Sequence, residues 1–109
     1  MPGNIIRRQF YAKQPGERFL TDVTYVRYYD KNQWHWGYLS LVLDLYDRSI
    51  VSWVYSKKQD TNLALKTLRI LSFKGVKKGA ILHSDHGSIY TSEAFRDELK
   101  RLGIQQSLS

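Results

Sequence analysis

The chain has 109 residues, enough for one domain with a real core though small for an enzyme. Seventeen Lys and Arg against ten Asp and Glu leave a net charge of +7, which favours a polyanionic partner such as nucleic acid. Cysteine is absent, which excludes disulfides and thiolate zinc sites. No apolar run approaches the ~18 residues of a membrane span, and Met1–Arg8 lacks the apolar stretch of a signal peptide, so a cytoplasmic protein without membrane contact is expected.

Residues 1–16 read as an irregular basic arm carrying Arg7, Arg8 and Lys13 and broken off by Pro15-Gly16. Residues 17–109 read as the folded domain. Residues 17–29 predict a strand, being rich in Phe, Val, Thr and Tyr. Asp30-Lys-Asn-Gln33 has the residues of a hairpin turn. Residues 34–46 predict a second strand, Asp47-Arg48 a tight connection, and 49–56 a third strand. Three strands joined by short links imply an antiparallel meander.

The period then changes. From Thr61, the residues Ala64, Leu68 and Leu71 share one helical face, with Asp60 or Thr61 as N-cap and Gly75 just past the end. Residues 80–84 predict a short apolar strand. A second helix is expected from about Ser92 to Leu102, with Phe95, Leu99 and Leu102 as its buried stripe and Gly103 just beyond it. Ile104–Leu108 reads as extended. The order βββαβαβ requires a right-handed crossover and parallel pairing in its second half. The expected fold class is therefore α/β: a mixed sheet of three antiparallel strands continued by parallel ones, with flanking helices.

Two aspartates stand out. Asp22 lies inside the first strand among β-branched and aromatic neighbours, where a buried charge needs compensation. Asp85 ends the fourth strand and is followed by His86-Gly87. If strand 1 is central and strand 4 lies parallel beside it, the two carboxylates meet at the sheet surface and suit a hard divalent cation. The alternative is local: Asp22 pairing with Arg18 or Arg27, and Asp85 closing an Asx turn. His83, Asp85 and His86 also form an H-x-D-H string, but zinc sites of this kind need further histidines and His35 is the only other one.

Asp44 and Arg48 read as a local ion pair bracing the connection between strands 2 and 3, with an auxiliary site role as the alternative. Among the basic residues, Lys57-Lys58 follows strand 3 and Lys77-Lys78 precedes strand 4. The second pair ranks as the better DNA contact because strand 4 leads to Asp85. Trp34, Trp36 and Tyr38 could stack bases, although alternation on a half-buried strand favours a core or partner surface.

The string Phe19-Leu-Thr-Asp22-Val-Thr-Tyr-Val26 resembles the "W-x-T-D-I-T-Y-I" strand of insertion-sequence transposases with a retroviral-integrase-like core. Leu43-Asp-Leu-Tyr-Asp-Arg48-Ser-Ile-Val-Ser-Trp53 resembles their "D-L-x-S-R-x-I-V-G-W" segment. His83-Ser-Asp85-His-Gly-Ser-Ile-Tyr90-Thr-Ser92 resembles "H-S-D-R-G-S-Q-Y-T-S", and Gly103–Ser109 resembles "G-I-x-x-S-M-S". The likeness runs from about Asn4 to Ser109.

This resemblance implies an RNase H-like fold and a DDE polynucleotidyl transferase that cuts and joins DNA with Mg²⁺ or Mn²⁺ in a two-metal site. It implies Asp22 and Asp85 as the first two acidic ligands. It also implies DNA, both transposon ends and target, as partner, action as a homo-oligomer, and a bacterial protein found at the nucleoid when it acts. By the same resemblance the positions of His86 and Ile89 lie near the site; His86 and Tyr90, together with the basic residues Lys77, Lys78, Lys57, Lys58, Arg7 and Arg8, are the candidate nucleic-acid contacts.

The chain departs from the pattern in places. The family's third acid is a glutamate on a later helix, at a position past Ser109. Glu93 and Glu98 match other positions and read as solvated helix-face residues. The chain thus reads as a C-terminally truncated core with little or no transposition expected. Ile89 stands where the family has Gln, His86 where it has a basic residue, and Phe19 where it has Trp. The alternatives are a non-catalytic DNA-binding or dimerisation module that keeps the fold, and an RNase H-type nuclease, whose surrounding motifs do not match.

Overall fold

A computed structural model describes residues 11–109. The basic arm's Arg7 and Arg8 lie outside the described residues. Five strands form one sheet: β1 Arg18–Asp30, β2 Gln33–Asp44, β3 Ile50–Ser56, β4 Ile81–Ser84 and β5 Gln105–Leu108. Their order is β3-β2-β1-β4-β5, so β1 is central. The first three strands pair antiparallel, while β4 pairs parallel to β1 and β5 parallel to β4. This is the expected mixed sheet.

The helices are α1 Thr61–Leu71, α2 Ser88–Thr91 and α3 Glu93–Leu102. Asp60, not Thr61, is the N-cap of α1, its carboxylate accepting from the Leu63 amide at 3.1 Å. α1 stops at Leu71, four residues before Gly75; the chain leaves it through turns in which Phe73 and Lys74 donate to the Ile70 and Leu71 carbonyls. Ser92 caps α3 through its hydroxyl, which accepts from Phe95 N at 3.3 Å. Gly103, at φ +74°, ends α3 in the left-handed conformation that glycine adopts without a Cβ penalty. The single turn α2 was not expected, because four residues carry no readable period.

The core lies on one face of the sheet. Phe19, Val42 and Leu82 from the strands meet Ala64, Leu68 and Leu71 of α1, and Phe95 and Leu99 of α3. Polar groups pin α1 down. Ser52 Oγ donates to the Thr67 carbonyl at 2.6 Å, and Thr67 Oγ1 bonds Ser40 Oγ at 2.7 Å. All three residues are buried. Small hydroxyls at these strand positions let the helix approach closely and leave no buried donor unmatched.

Among the described residues Asp44 and Arg48 form no ion pair, and only the Arg48 amide reaches Asp44, donating to its carbonyl at 2.8 Å. The buried Asp44 carboxylate accepts the Gly16 amide and the Tyr46 amide, each at 2.9 Å. Arg48 instead reaches over the Tyr11 ring, 6.0 Å from its centroid, with its own backbone at φ +65°. A carboxylate with two amide donors is satisfied without a cation. Taking those two amides ends β2 at Asp44, two residues earlier than the sequence suggested.

The β1–β2 hairpin is long. Lys31 and Asn32 both have positive φ, 51° and 62°, as a two-residue type I′ turn requires. Pairing of β2 with β3 ends at Tyr38↔Ser56, so residues 26–37 form a two-stranded ribbon beyond the sheet body. Tyr55 anchors the ribbon's base, its hydroxyl donating to the Val26 carbonyl at 3.0 Å. It can do so because Gly37 lacks a side chain: a Cβ there would lie 1.7 Å from the Tyr55 hydroxyl oxygen.

Two stability predictions follow from these contacts. Asp44→Ala should cost about 2–3 kcal/mol in urea unfolding, because two buried amides lose their acceptor. Gly37→Ala should cost about 1 kcal/mol by displacing Tyr55, and combining it with Tyr55→Phe should add less than the sum of the separate losses.

Candidate active site

The parallel register Arg18↔Ile81, Phe19↔Leu82, Leu20↔His83 carries Asp85 to the level of Asp22 two positions further on. β4 ends at Ser84, so the edge of β1 beyond it is open. There the two aspartates line one cleft of about 390 Å³ with Val23, Tyr25, Gln59, Gly87, Ser88, Ile89 and Tyr90. Both aspartates are exposed, so neither carries the burial cost that the apolar neighbours of Asp22 suggested.

Each carboxylate is held by its own backbone. Asp22 Oδ1 accepts from Val23 N at 2.9 Å, and Asp85 Oδ1 from Gly87 N at 2.7 Å. The Asx turn at Asp85 is therefore real and coexists with its place in the cleft. Asp22 pairs with neither candidate arginine: Arg18 leans toward Glu17 at 3.9 Å, and Arg27 stacks over Trp34 and Trp36. Among the described residues, the second oxygen of each aspartate takes no hydrogen bond. Two exposed carboxylates lining one cleft fit a hard cation that keeps several waters, as Mg²⁺ does.

Tyr90 forms the back wall. It is 4% exposed and packs edge to face on Phe95 with centroids 5.3 Å apart. Burial, chiefly, pushes its phenol up to about 12, and the nearby charges of Asp22 and Asp85 add to this. The Thr21 hydroxyl eases the shift, yet it donates to the Leu41 carbonyl at 3.0 Å and makes no well-formed bond to Tyr90, whose buried oxygen has no hydrogen-bond partner among the described residues. Tyr90 is thus a buried wall residue rather than an exposed base platform.

The other candidates fall as follows. His86 is exposed beside the cleft but does not line it. His83 is fully buried in β4, and His35 stacks on Tyr28 at 5.1 Å on the ribbon, so the histidines do not gather. Among the described residues no group of three His, Asp or Glu side chains is placed to hold a metal. Glu93 and Glu98 do not line the cleft, and Glu98 pairs with Arg101 at 2.6 Å.

The two lysine pairs lie at opposite ends of the sheet. Lys77 N donates to the Gly16 carbonyl, at the sheet end where Asp44 sits, and β4 runs from there away toward Asp85. Lys77 and Lys78 line a separate cleft with Leu102 and Gly103. Lys57 and Lys58 leave β3 at the same end as the aspartates, and the next residue, Gln59, lines their cleft. Gln59, Ser88 and Tyr25 were missed as lining residues because loops and strand ends carry no periodic signal. The Asx turn Asp85-His-Gly87 was the one cue that pointed at Ser88.

Comparison with known proteins fits this geometry. Transposase InsF for insertion sequence IS3A of Escherichia coli (strain K12) is 30% identical over 107 residues, covering 97% of this chain and 36% of that protein. The transposase for insertion sequence element IS629 of Shigella sonnei is 31% identical over 106 residues, covering 96% and 34%. The chain thus spans about a third of the length of these relatives. Among solved structures, the HTLV-2 integrase catalytic core domain in complex with magnesium (trimeric form) superposes with a TM-score of 0.73 at 20% identity, covering 90% of this chain and 62% of that one. A chain of the simian T-cell lymphotropic virus intasome in complex with PP2A regulatory subunit B56 gamma gives 0.76 at 21% identity, covering 91% and 34%. These likenesses establish the RNase H-like fold. The family described as integrase core domain matches residues 12–109, and the chain belongs to that family.

Proposed function

We propose that this chain is the part of a DDE transposase core that presents its first two acids, Asp22 and Asp85, to metal and DNA for cutting and joining by phosphoryl transfer. The observation that carries the reading is the convergence of the two aspartates, from separate strands, on one open cleft. The relatives' character as transposases and the net charge of +7 support it.

In this reading Asp22 and Asp85 hold Mg²⁺ or Mn²⁺ through their free oxygens. The ion supplies charge neutralisation at the phosphate and activation of the attacking oxygen. The backbone amides of Val23 and Gly87 fix the orientation of the two carboxylates before substrate arrives. Gln59 and Ser88 offer neutral hydrogen bonds to phosphate oxygens at the rim. Lys57 and Lys58 add positive charge at the same end of the sheet. Tyr90 stays protonated and acts as a wall, not as a base. No third carboxylate among the described residues lines the cleft, so we expect weak metal binding and little or no cutting by this polypeptide alone. Assembly into a homo-oligomer on DNA belongs to the same reading.

Calorimetric titration with Mn²⁺ should show binding on the order of millimolar, abolished by Asp22→Asn and by Asp85→Asn. Heat unchanged in both variants would remove the metal site. In the same buffer, supercoiled DNA should remain uncut; efficient nicking that Asp22→Asn eliminates would show that two carboxylates suffice.

The raised Tyr90 phenol gives a pH prediction. A phenol whose folded value exceeds its unfolded 10.0 adds stability that is fully present below pH 10 and fades as pH approaches 12. Tyr90→Phe removes this ionisation. Its stability should fall less steeply than wild type across that window, by up to about 3 kcal/mol. Parallel curves would contradict the buried position of the hydroxyl.

A further inference from the structure

The two-stranded ribbon carries a stripe of rings that no described element covers. Cross-strand register pairs Tyr25 with Tyr38, Arg27 with Trp36, and Tyr29 with Trp34, placing all six side chains on one face. Tyr25 is 62% exposed, Tyr29 59%, Trp34 60% and Trp36 59%. The core reading of these aromatics therefore fails. Rings this exposed, in one patch, mark an interaction surface.

Three observations identify the occupant. First, the stripe contains a cation and no carboxylate. Arg27 lies over Trp34 at 4.9 Å and over Trp36 at 5.7 Å, so a positive charge sits between flat apolar faces. That combination suits a base and its phosphate. Second, the stripe is continuous with the acid cleft. Tyr25 lines the cleft of Asp22 and Asp85 and also a recess of about 310 Å³ with Trp36 and Tyr38. Tyr25 thus joins the cleft to the ring face at the open edge of β1, although alternation turns Asp22 itself toward the other face of that strand. Third, the rings meet edge to face, at 72° for Tyr25–Trp36 and 67° for Tyr29–Trp34, rather than stacking on each other. Tyr25 to Tyr29 spans about 13 Å of strand, room for a few stacked nucleotides.

We propose that the ribbon face formed by Tyr25, Arg27, Tyr29, Trp34, Trp36 and Tyr38 is a stacking platform for unpaired nucleotides of the DNA strand leading away from the Asp22–Asp85 cleft. Bases in an intact duplex already stack on their neighbours and cannot use these rings, so the platform selects a single-stranded or frayed end. This rests on the DNA reading of the acid cleft and adds to it the form of DNA and the residues that hold it.

The test measures anisotropy of labelled oligothymidylate of about 12 nucleotides, and of a duplex of matched length, at fixed salt. Wild type should bind the single strand more tightly than the duplex, with its tryptophan emission quenched. Trp34→Ala/Trp36→Ala, checked for folding by circular dichroism, should lose about tenfold or more for the single strand while duplex binding stays close to wild type. Trp36→Phe, which keeps a ring, should retain most of the affinity. Trp53→Ala, equally exposed on the opposite sheet face, should bind as wild type does. Equal binding of both DNA forms, unaffected by Trp34→Ala/Trp36→Ala, would overturn the platform and leave the DNA reading standing. Binding of neither form would overturn both. An equal loss in Trp53→Ala would refute the assignment to this face. So would a wild-type dimer that the double variant dissociates without loss of DNA affinity, because the stripe would then be covered by a second copy of this chain. Were the double variant to unfold, the wild-type single-strand preference and quenching, with Trp36→Phe, decide the matter alone.

Discussion

The parallel pairing of β4 against β1 is the contact on which the candidate site depends. It involves only three residue pairs, Arg18↔Ile81, Phe19↔Leu82 and Leu20↔His83. Yet it sets the level of Asp85 against Asp22, and 62 residues of intervening chain do not otherwise bring them together. So short a ladder is not stable by its hydrogen bonds alone. It is held because Phe19 and Leu82, adjacent across it, are both buried under α1 and α3. A slip of β4 by one residue would turn Leu82 out of the core and move Asp85 away from the cleft. Packing energy thus becomes positional precision at an exposed site.

The polar contacts distribute that precision. Asp44 ties the turn before β1 to the end of β2, and the Ser40–Thr67–Ser52 contacts seat α1 on the sheet. Both are buried and satisfied, so they specify geometry without leaving an uncompensated group. At the site the logic inverts: the carboxylates are exposed, each is oriented by one local amide, and each keeps an oxygen for a ligand. The ribbon follows a third rule. With only two strands it cannot bury its rings, and the exposed Arg27 lies over two of them. The strands that carry the acids are pinned by buried packing, and the ribbon's ring face stays exposed.

Much of this was legible in the residues. β-rich composition, a short apolar run and turn residues located the strands, because these, like Lys31-Asn32 at a tight turn, are local signals. Helical periodicity and caps located α1 and α3. Other features were hidden because they depend on contacts distant in sequence. Asp44 looked like a partner for nearby Arg48, but its real donors include Gly16, 28 positions away. Lys77-Lys78 looked close to Asp85 in sequence, yet a strand separates its two ends in space. Trp34 and Trp36 alternate as core residues do. Only the fold shows that among the described residues no helix packs over them.

The sequence by itself determined the order of elements and the family, and it marked Asp22 and Asp85 as the candidate acids, because period, turn chemistry and residue words are local properties. Tertiary structure alone decided that Asp22 and Asp85 share a cleft, that Lys57-Lys58 rather than Lys77-Lys78 accompany them, and that the ribbon's rings face solvent. Those facts follow from strand direction, register and where each neighbour stops, and none of these is written in any one segment.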